Sequence, residues 1–451
     1  MGKNKKKPHP TTIEKHKEAK LCLNMIVRNE AHVKHGQSII ERCLNNIGHL
    51  IDAIAIVDTG SDDGTPELIV KWAREKGIPQ KITIDPWQDD FGYHRSGALR
   101  LAEDFVKELS EKTWYCLFMD ADNMAFANDG VSLIHLDKSK LVDDGYKINM
   151  RQEGCVYSYL WLIKLETDKP WQWYCPRHEY CSPQKNKNGV QSWQCKIGYL
   201  DNGFIESKRE GSRARDPRRY LRDAHVFEKA LLDDPFNDRY LYYAAQSYND
   251  IAKQFKVESD QYQEQLKNAD ISEKEKEELA IKAQQAHSQC QYYWQRAEKA
   301  FVFRASTPPF TLWQDEYTYC AWVEAGKIRL YRKGDYDTTA LRYFYQAYQK
   351  RAHRLEAPYY LLCYYVRNQA YRVGWSLAKD LINLPYPSND DIFVDDAIHQ
   401  YNFLFEASLC AFYSGANQDC VKLCKRVIRN RKTPTNIREA AENNLILFGR
   451  S

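Results

Sequence analysis

Over its first third the chain alternates strand-length apolar runs with helix-length amphipathic ones. Leu21-Cys22-Leu23-Asn24-Met25-Ile26-Val27 is a short, nearly unbroken apolar run that predicts a strand; residues 36 to 47 carry a helical period, and Ile51 through Val57 gives a second strand. A Gly- and Asp-rich turn over Asp58 to Thr65 follows, then a helix beginning near Pro66 with Leu68, Ile69, Trp72 and Ala73 on one face. Lys81 to Ile84 predicts a third strand, Tyr93 to Leu109 a helix, and residues 114 to 119 a fourth strand. This βαβαβ order is that of a mostly parallel sheet, in which ligands bind beyond the carboxyl ends of the strands.

The pattern loosens from about 126 to 215, with strand-like pieces at Lys147 to Met150 and Val156 to Leu165 and an aromatic-rich loop at Trp171 to Tyr180. After about 216 it changes to long helices in which small residues sit among large rings: Tyr240 to Tyr248, then Tyr317 to Ala325, Ala357 to Tyr365 and Tyr401 to Tyr413. Such spacing predicts tetratricopeptide-like helix pairs. The expected division is a basic disordered tail over 1–19, an α/β domain over 20–215, and an all-α repeat domain over 216–451 with a charged helical insertion at about 253–290.

Composition narrows the classes. Hydrophobic residues at 43% and aromatics at 13% are ample for packed cores, and a net charge of +4 is too slight to argue for nucleic acid. No apolar run is long enough to span a membrane, and Lys6 stands where a myristoylation signal wants Ser or Thr. Thirteen cysteines without a C-x-x-C pair, and no signal peptide ahead of them, lead us to expect a reducing, cytoplasmic setting.

The polar residues at the strand ends are the candidate chemistry. Asp120-Ala121-Asp122 closes an apolar strand, and both carboxylates can reach one hard cation, Mn²⁺ or Mg²⁺, that shares its ligands with a diphosphate; two acids at a strand end can equally be a solvated turn. Asp58, before Gly60, can accept hydrogen bonds from a base or ribose, or cap its own turn. The strand-end residues Asn24, Arg28, Asn29 and Glu30 can grip a nucleotide edge, or form a plain polar loop. Arg95 can offset diphosphate charge with its bidentate fork while Asp89 orients it, although Asp89 and Asp90 are also ordinary helix caps. Four polar strand ends of one sheet agreeing is what raises these readings above the bland ones.

Together, Asn24-Met25-Ile26-Val27-Arg28-Asn29-Glu30, Val57-Asp58-Thr59-Gly60-Ser61-Asp62-Asp63-Gly64-Thr65, Asp90-Phe91 with Arg95, and Met119-Asp120-Ala121-Asp122-Asn123 resemble a family 2 glycosyltransferase of Rossmann-like GT-A fold. Arg177-His178-Glu179 and the helical tail are similar to the subgroup that joins such a domain to tetratricopeptide repeats. The resemblance implies a metal-dependent, inverting transfer of a hexose from a nucleotide diphosphate sugar, with a UDP-hexose the expected donor. It places Asp122 on the metal, Asp58 at the nucleoside and Asp120 toward ribose or metal. Glu179 becomes the expected general base, with His178 the competing base or a third metal ligand. The chain departs from the family where Asp58-Thr59 replaces a common Asp-Asp and Arg95-Ser96 a common Arg-Asn.

One or two of Trp171, Trp173 and Trp193 are expected to stack on an acceptor sugar, whereas Trp161 completes the aromatic crowd. Cys175, His178, Cys181 and Cys195 form an alternative, zinc-binding set. The helical domain would hold a glycan, peptide or protein acceptor, or join two copies as a homodimer. Two other classes remain open: a sugar-1-phosphate nucleotidyltransferase, disfavoured by the lack of a Gly-rich basic phosphate loop, and a non-catalytic repeat scaffold.

Overall fold

The computed structural model describes residues 18–448, except 111, 153–154, 187–189, 212, 214–215, 269–270, 307–311, 336, 388–389 and 391. Most of the expected basic tail therefore lies outside the described residues. The chain divides into two compact units, 1–217 and 218–451.

In the first unit, chain order gives β1 (Lys20–Val27), β2 (Val33–Lys34), β3 (Gln37–Ser38), α1 (Ile39–Ile47), β4 (Ala53–Asp58), α2 (Thr65–Lys76), β5 (Gln80–Ile84), α3 (Phe91–Leu109) and β6 (Trp114–Phe118). There follow β7 (Asn123–Ala127), β8 (Gly145–Gln152), β9 (Cys155–Lys164), β10 (Trp171–Tyr174), β11 (Tyr180–Pro183) and β12 (Ile197–Ser207). The main sheet has eight strands in the order β5-β4-β1-β6-β9-β8-β12-β7. β5, β4, β1 and β6 run parallel; β9 then turns the sheet antiparallel, and β8 and β12 form one more parallel pair. The chain order reverses between β1 and β6, which makes their carboxyl ends the switch point of the sheet.

Alternation along β1, β4 and β6 builds two cores. Leu21, Leu23 and Met25, with Ile54, Ile56, Tyr115 and Leu117, face α1 and α2. Cys22, Ala53, Ala55, Cys116 and Phe118 face Leu99, Ala102 and Phe105 of α3. The small residues on that second face let α3 approach the sheet closely.

Three local expectations change. The helix expected from 36 starts at Ile39, because Val33–Lys34 and Gln37–Ser38 pair as a small hairpin and Ser38 caps the helix. The aromatic segment expected as a loop is the hairpin β10–β11, with Trp171 opposite Pro183 and Tyr174 opposite Tyr180. β7 and β12 complete the sheet edge where the pattern showed no regular period.

The second unit is all helical: α4 (Arg219–Asp233), α5 (Asp238–Gln265), α6 (Glu273–Ser306), α7 (Leu312–Lys333), α8 (Thr338–Lys350), α9 (Glu356–Arg367), α10 (Tyr371–Ala378), α11 (Phe403–Tyr413), α12 (Asn417–Arg429) and α13 (Thr435–Phe448). Each helix packs on its neighbour in sequence, and alternate helices such as α5 and α7, or α9 and α11, also touch, which is the architecture of stacked helix hairpins. Gly326 of α7 shows how tight the stack is, since a Cβ there would lie 2.5 Å from the Phe344 ring of α8. Residues 253–290 span the end of α5 and the start of α6, which pack on each other through Ser259, Ala283, Ala286 and Cys290.

Candidate functional site

At the carboxyl end of β4, Asp58 is buried, and its Oδ1 accepts from the backbone N–H of Gly60 at 2.7 Å and Ser61 at 2.8 Å. It caps its own turn, with Gly60 at φ 104° where a side chain would be strained. Thr59 next to it donates through Oγ1 to the Val27 carbonyl at 3.1 Å. A carboxylate cannot donate there, which accounts for Thr where the resembled family commonly carries Asp. The β1 end is clasped to this turn: Asn29, at φ 55°, accepts from Asp62 N–H and donates its own N–H to Ser61 Oγ. Arg28 is exposed at the same end and bonds to no described residue.

Asn24 differs from expectation. It is buried within β1, and its amide nitrogen donates to the carbonyls of Ala55 and Ala98, tying β1 to β4 and α3 rather than reaching a ligand.

Arg95 is the hub. It is buried on α3, with Nη2 2.6 Å from Asp120 Oδ1 and Nε 2.7 Å from Glu179 Oε1, and its guanidinium packs over the Trp173 ring at 5.1 Å. Burial alone would lower its pKa, but the two carboxylates outweigh that and raise it. Burial likewise pushes the Glu179 carboxyl up, yet the Arg95 charge holds it below its ordinary value, so Glu179 is ionised. Tyr159 of β9 completes this corner, its phenol pushed up by burial and by the Asp120 charge.

Asp89 does not orient Arg95. Its carboxylate takes Trp87 Nε1 at 2.9 Å and Arg177, while Asp120 and Glu179 hold Arg95. Arg177 is buried, donates to the Asp89 and Pro176 carbonyls, and lies over Trp87 and Phe91, fastening the loop before α3 to the β10–β11 turn. Gly92 allows that contact: a Cβ there would lie 2.6 Å from the Cys175 carbonyl oxygen. Asn29, Asp89, Cys175 and His178 all have positive φ, so backbone strain gathers around these strand ends.

Asp122 stands apart from Arg95. Its Oδ2 accepts from the backbone N–H of Glu210 at 2.8 Å and Gly211 at 3.1 Å, in the segment after β12. Burial, then the neighbouring Asp120 charge, raises its pKa despite those donors. A methyl on Gly211 would lie 3.4 Å from Glu30 Oε1 and 3.5 Å from Asp122 Oδ2, so the two carboxylates face one space. Glu210 is held in place by ion pairs with Lys34 and Arg42.

This donor set fits a hard divalent cation. Asp122 carries more negative charge than its partners neutralise, and Asp120 has one oxygen on Arg95 with its side chain 43% exposed. Among the described residues, however, no group of three or more His, Cys, Asp or Glu is gathered as a metal site. His178 is thus not brought to Asp120 and Asp122 as a third ligand, nor are Cys175, His178, Cys181 and Cys195 assembled for zinc.

The tryptophans are also corrected. Trp171 and Trp173 are buried on β10, packed edge-on against Trp193 and Phe118, so their faces belong to the core of α3 and the sheet. Trp161 is wholly buried, and Trp193 is half-buried. The pattern missed Tyr159, Glu210 and Gly211, and gave Arg177 no role of its own. Glu210 and Gly211 contribute backbone N–H groups, which leave no mark on residue type.

Among the described residues no helix is long and apolar enough to cross a membrane. No protein-family model matches the chain. A TPR repeat-containing protein of Synechococcus elongatus is 36% identical over 84 residues, which is 19% of this chain and 18% of that protein. The S. aureus TarS crystal structure aligns over 75% of this chain and 55% of its own, with 12% identity and a TM-score of 0.29. The matched parts thus span less than two thirds of either relative.

Proposed function

We propose that the chain is a metal-dependent, inverting glycosyltransferase that moves a hexose from a nucleotide diphosphate sugar, expected to be a UDP-sugar, to an acceptor hydroxyl. The observation that carries this reading is the Arg95 guanidinium held between Asp120 and Glu179 at the switch point of the sheet, with Asp122 two positions past Asp120 at the same strand end. A cation and an under-neutralised carboxylate at one strand end suit a metal-bound diphosphate, which needs both.

Asp122 and Asp120 would hold the Mn²⁺ or Mg²⁺, which supplies Lewis-acid stabilisation to the leaving diphosphate. Asp58 and Arg28, at adjacent strand ends, would position the nucleoside. Glu179 is ionised and so able to accept the proton of the acceptor hydroxyl. Its bond to Arg95 weakens it as a base, and a diphosphate drawing on the Arg95 charge would restore that basicity. His178, in the strained turn beside it, is the competing base. The helical unit would hold a glycan, peptide or protein acceptor or support a homodimer, in a cytoplasmic setting.

A melting panel of nucleotide sugars, with and without Mn²⁺, tests this. One donor should raise the melting temperature only with metal, by about 2.7 kcal/mol of stabilisation at roughly 100-fold excess over Kd, and Asp122→Ala should lose the shift. An equal, metal-independent shift in that variant would overturn the reading.

A further inference from the structure

Charge does not balance where a diphosphate would sit. Asp120, Asp122 and Glu179 are three carboxylates, and the Arg95 guanidinium is already bonded to two of them. A divalent cation would cancel the remainder, which leaves the diphosphate itself without an opposite charge. Most neighbouring cations are committed: Lys34 and Arg42 pair with Glu210, Lys208 with Glu206, and Arg177 is buried against Asp89. Arg28 stands at the end of β1, on the side of the Asp58 turn.

Arg213 differs from these. It is exposed, and its guanidinium lies over the Phe91 ring, 5.2 Å from the centroid. Phe91 and Arg95 are four residues apart on α3 and so share one face of that helix, a single turn apart. Arg213 also acts on Glu179: burial pushes that carboxyl up, and Arg95 first and Arg213 after it hold it down. The stretch leading to Arg213 is pinned to Asp122, where Lys208 N–H donates to the carbonyl at 3.3 Å and the Glu210 and Gly211 N–H groups donate to the carboxylate. One segment thus runs from Asp122 to the Arg95–Glu179 corner. An exposed cation–π contact is weaker than a two-pronged bond to phosphate, so a diphosphate would draw the guanidinium from the ring.

We propose that Arg213 binds the diphosphate, supplying the positive charge that Arg95, shared between two carboxylates, cannot supply alone. The proposal deepens the sugar-transfer reading, and rests on that reading only in assigning the diphosphate to a nucleotide sugar.

The probe is inorganic pyrophosphate with Mg²⁺, titrated calorimetrically into the full-length protein, so that no donor need be known. The wild type should bind it saturably. Arg213→Gln should bind it about tenfold more weakly, as expected for one lost charge-assisted contact, and Arg213→Lys should recover part of that loss, because a point charge replaces a fork. Arg209→Gln removes an exposed charge from the same stretch and should bind as the wild type does. Arg213 is exposed, so its variants should melt with the wild type. No pyrophosphate binding by the wild type, equal affinity in Arg213→Gln, or an equal loss in Arg209→Gln would overturn the proposal. Unchanged pyrophosphate affinity in Arg213→Gln, with the nucleotide-sugar shift intact, refutes this contact alone. Pyrophosphate binding that depends on Arg213, with no shift by any nucleotide sugar, refutes the transfer and leaves the contact standing.

Discussion

Each unit buries a carboxylate in a charged cluster, and the two respond to folding in opposite directions. In the helical unit, burial pushes Glu356 up, but His399 and a two-pronged bond from Arg354 at 2.8 and 2.9 Å drive it far below its ordinary value. Tyr319 Oη and the Asp395 N–H also bond to it, and Arg354 is itself fully buried and donates onward to the carbonyls of Ile392 and Phe393. In the α/β unit, Asp122 has two backbone donors and no side-chain cation, and its pKa is raised. The first cluster is closed and needs nothing further. The second keeps an unmet negative charge at a strand end, and that difference separates a structural staple from a carboxylate left with charge to spare.

The strongest way to break this comparison is to unbalance the closed cluster. Arg354→Met strands Glu356 in the interior and should destabilise the chain by about 3–5 kcal/mol, read as a lower urea midpoint in far-ultraviolet circular dichroism. Adding Glu356→Gln should recover much of that loss, because the charge left unpaired is the main cost. A single variant within about 1 kcal/mol of wild type would mean that the cluster is not a staple.

The open cluster should respond with the opposite sign. Asp122→Asn keeps an oxygen for the Glu210 and Gly211 N–H groups and removes the unmet charge, so it should stabilise the metal-free chain by about 1 kcal/mol after solvent screening, while abolishing any Mn²⁺-dependent rise in melting temperature. The pH dependence sharpens the contrast. Asp122 titrates above 3.8 in the folded chain, so its penalty is full at neutral pH and fades as pH falls through that raised value; the advantage of Asp122→Asn should shrink with it. Glu356 is the reverse: its stabilisation is present above 4.5 and is lost as pH falls below it. An Asn variant less stable than wild type at neutral pH would erase the distinction.

The two clusters also differed in how far the chain announced them. Asp58, Arg95, Asp120, Asp122 and Glu179 were legible because they sit at strand ends or beside a recognisable dipeptide, where apolar runs stop abruptly. Their partners were not legible. Arg95 lies 84 positions from Glu179, which the separate β10–β11 hairpin brings in, and Asp122 is met by backbone N–H groups 88 and 89 positions away, in the segment after β12. Asn24 looked like a ligand because it is polar, whereas its place inside β1 makes it a cross-strand tie. Trp171 and Trp173 looked like sugar platforms because the alternation of a four-residue strand is too short to read as a hairpin. The helical unit was legible as helices, from small residues among rings, but its ion network depends on which helices meet.

Thr59 gives the finest test, since it stands within the site and yet belongs, by its contacts, with the structural groups. Its hydroxyl donates to the Val27 carbonyl, which also accepts the Thr59 N–H at 2.9 Å, so the carbonyl stays satisfied when the hydroxyl is removed. Thr59→Val should therefore cost only about 0.5–1.5 kcal/mol in urea unfolding and leave the donor-dependent melting shift in place. Thr59→Asp, which restores the residue common in the resembled family, should cost more, because it buries a second carboxylate beside Asp58 and cannot donate to Val27. If Asp is instead the better tolerated of the two, the turn after β4 accommodates added charge, and Asp58 is part of an open cluster like that of Asp122 and not a cap for its own turn.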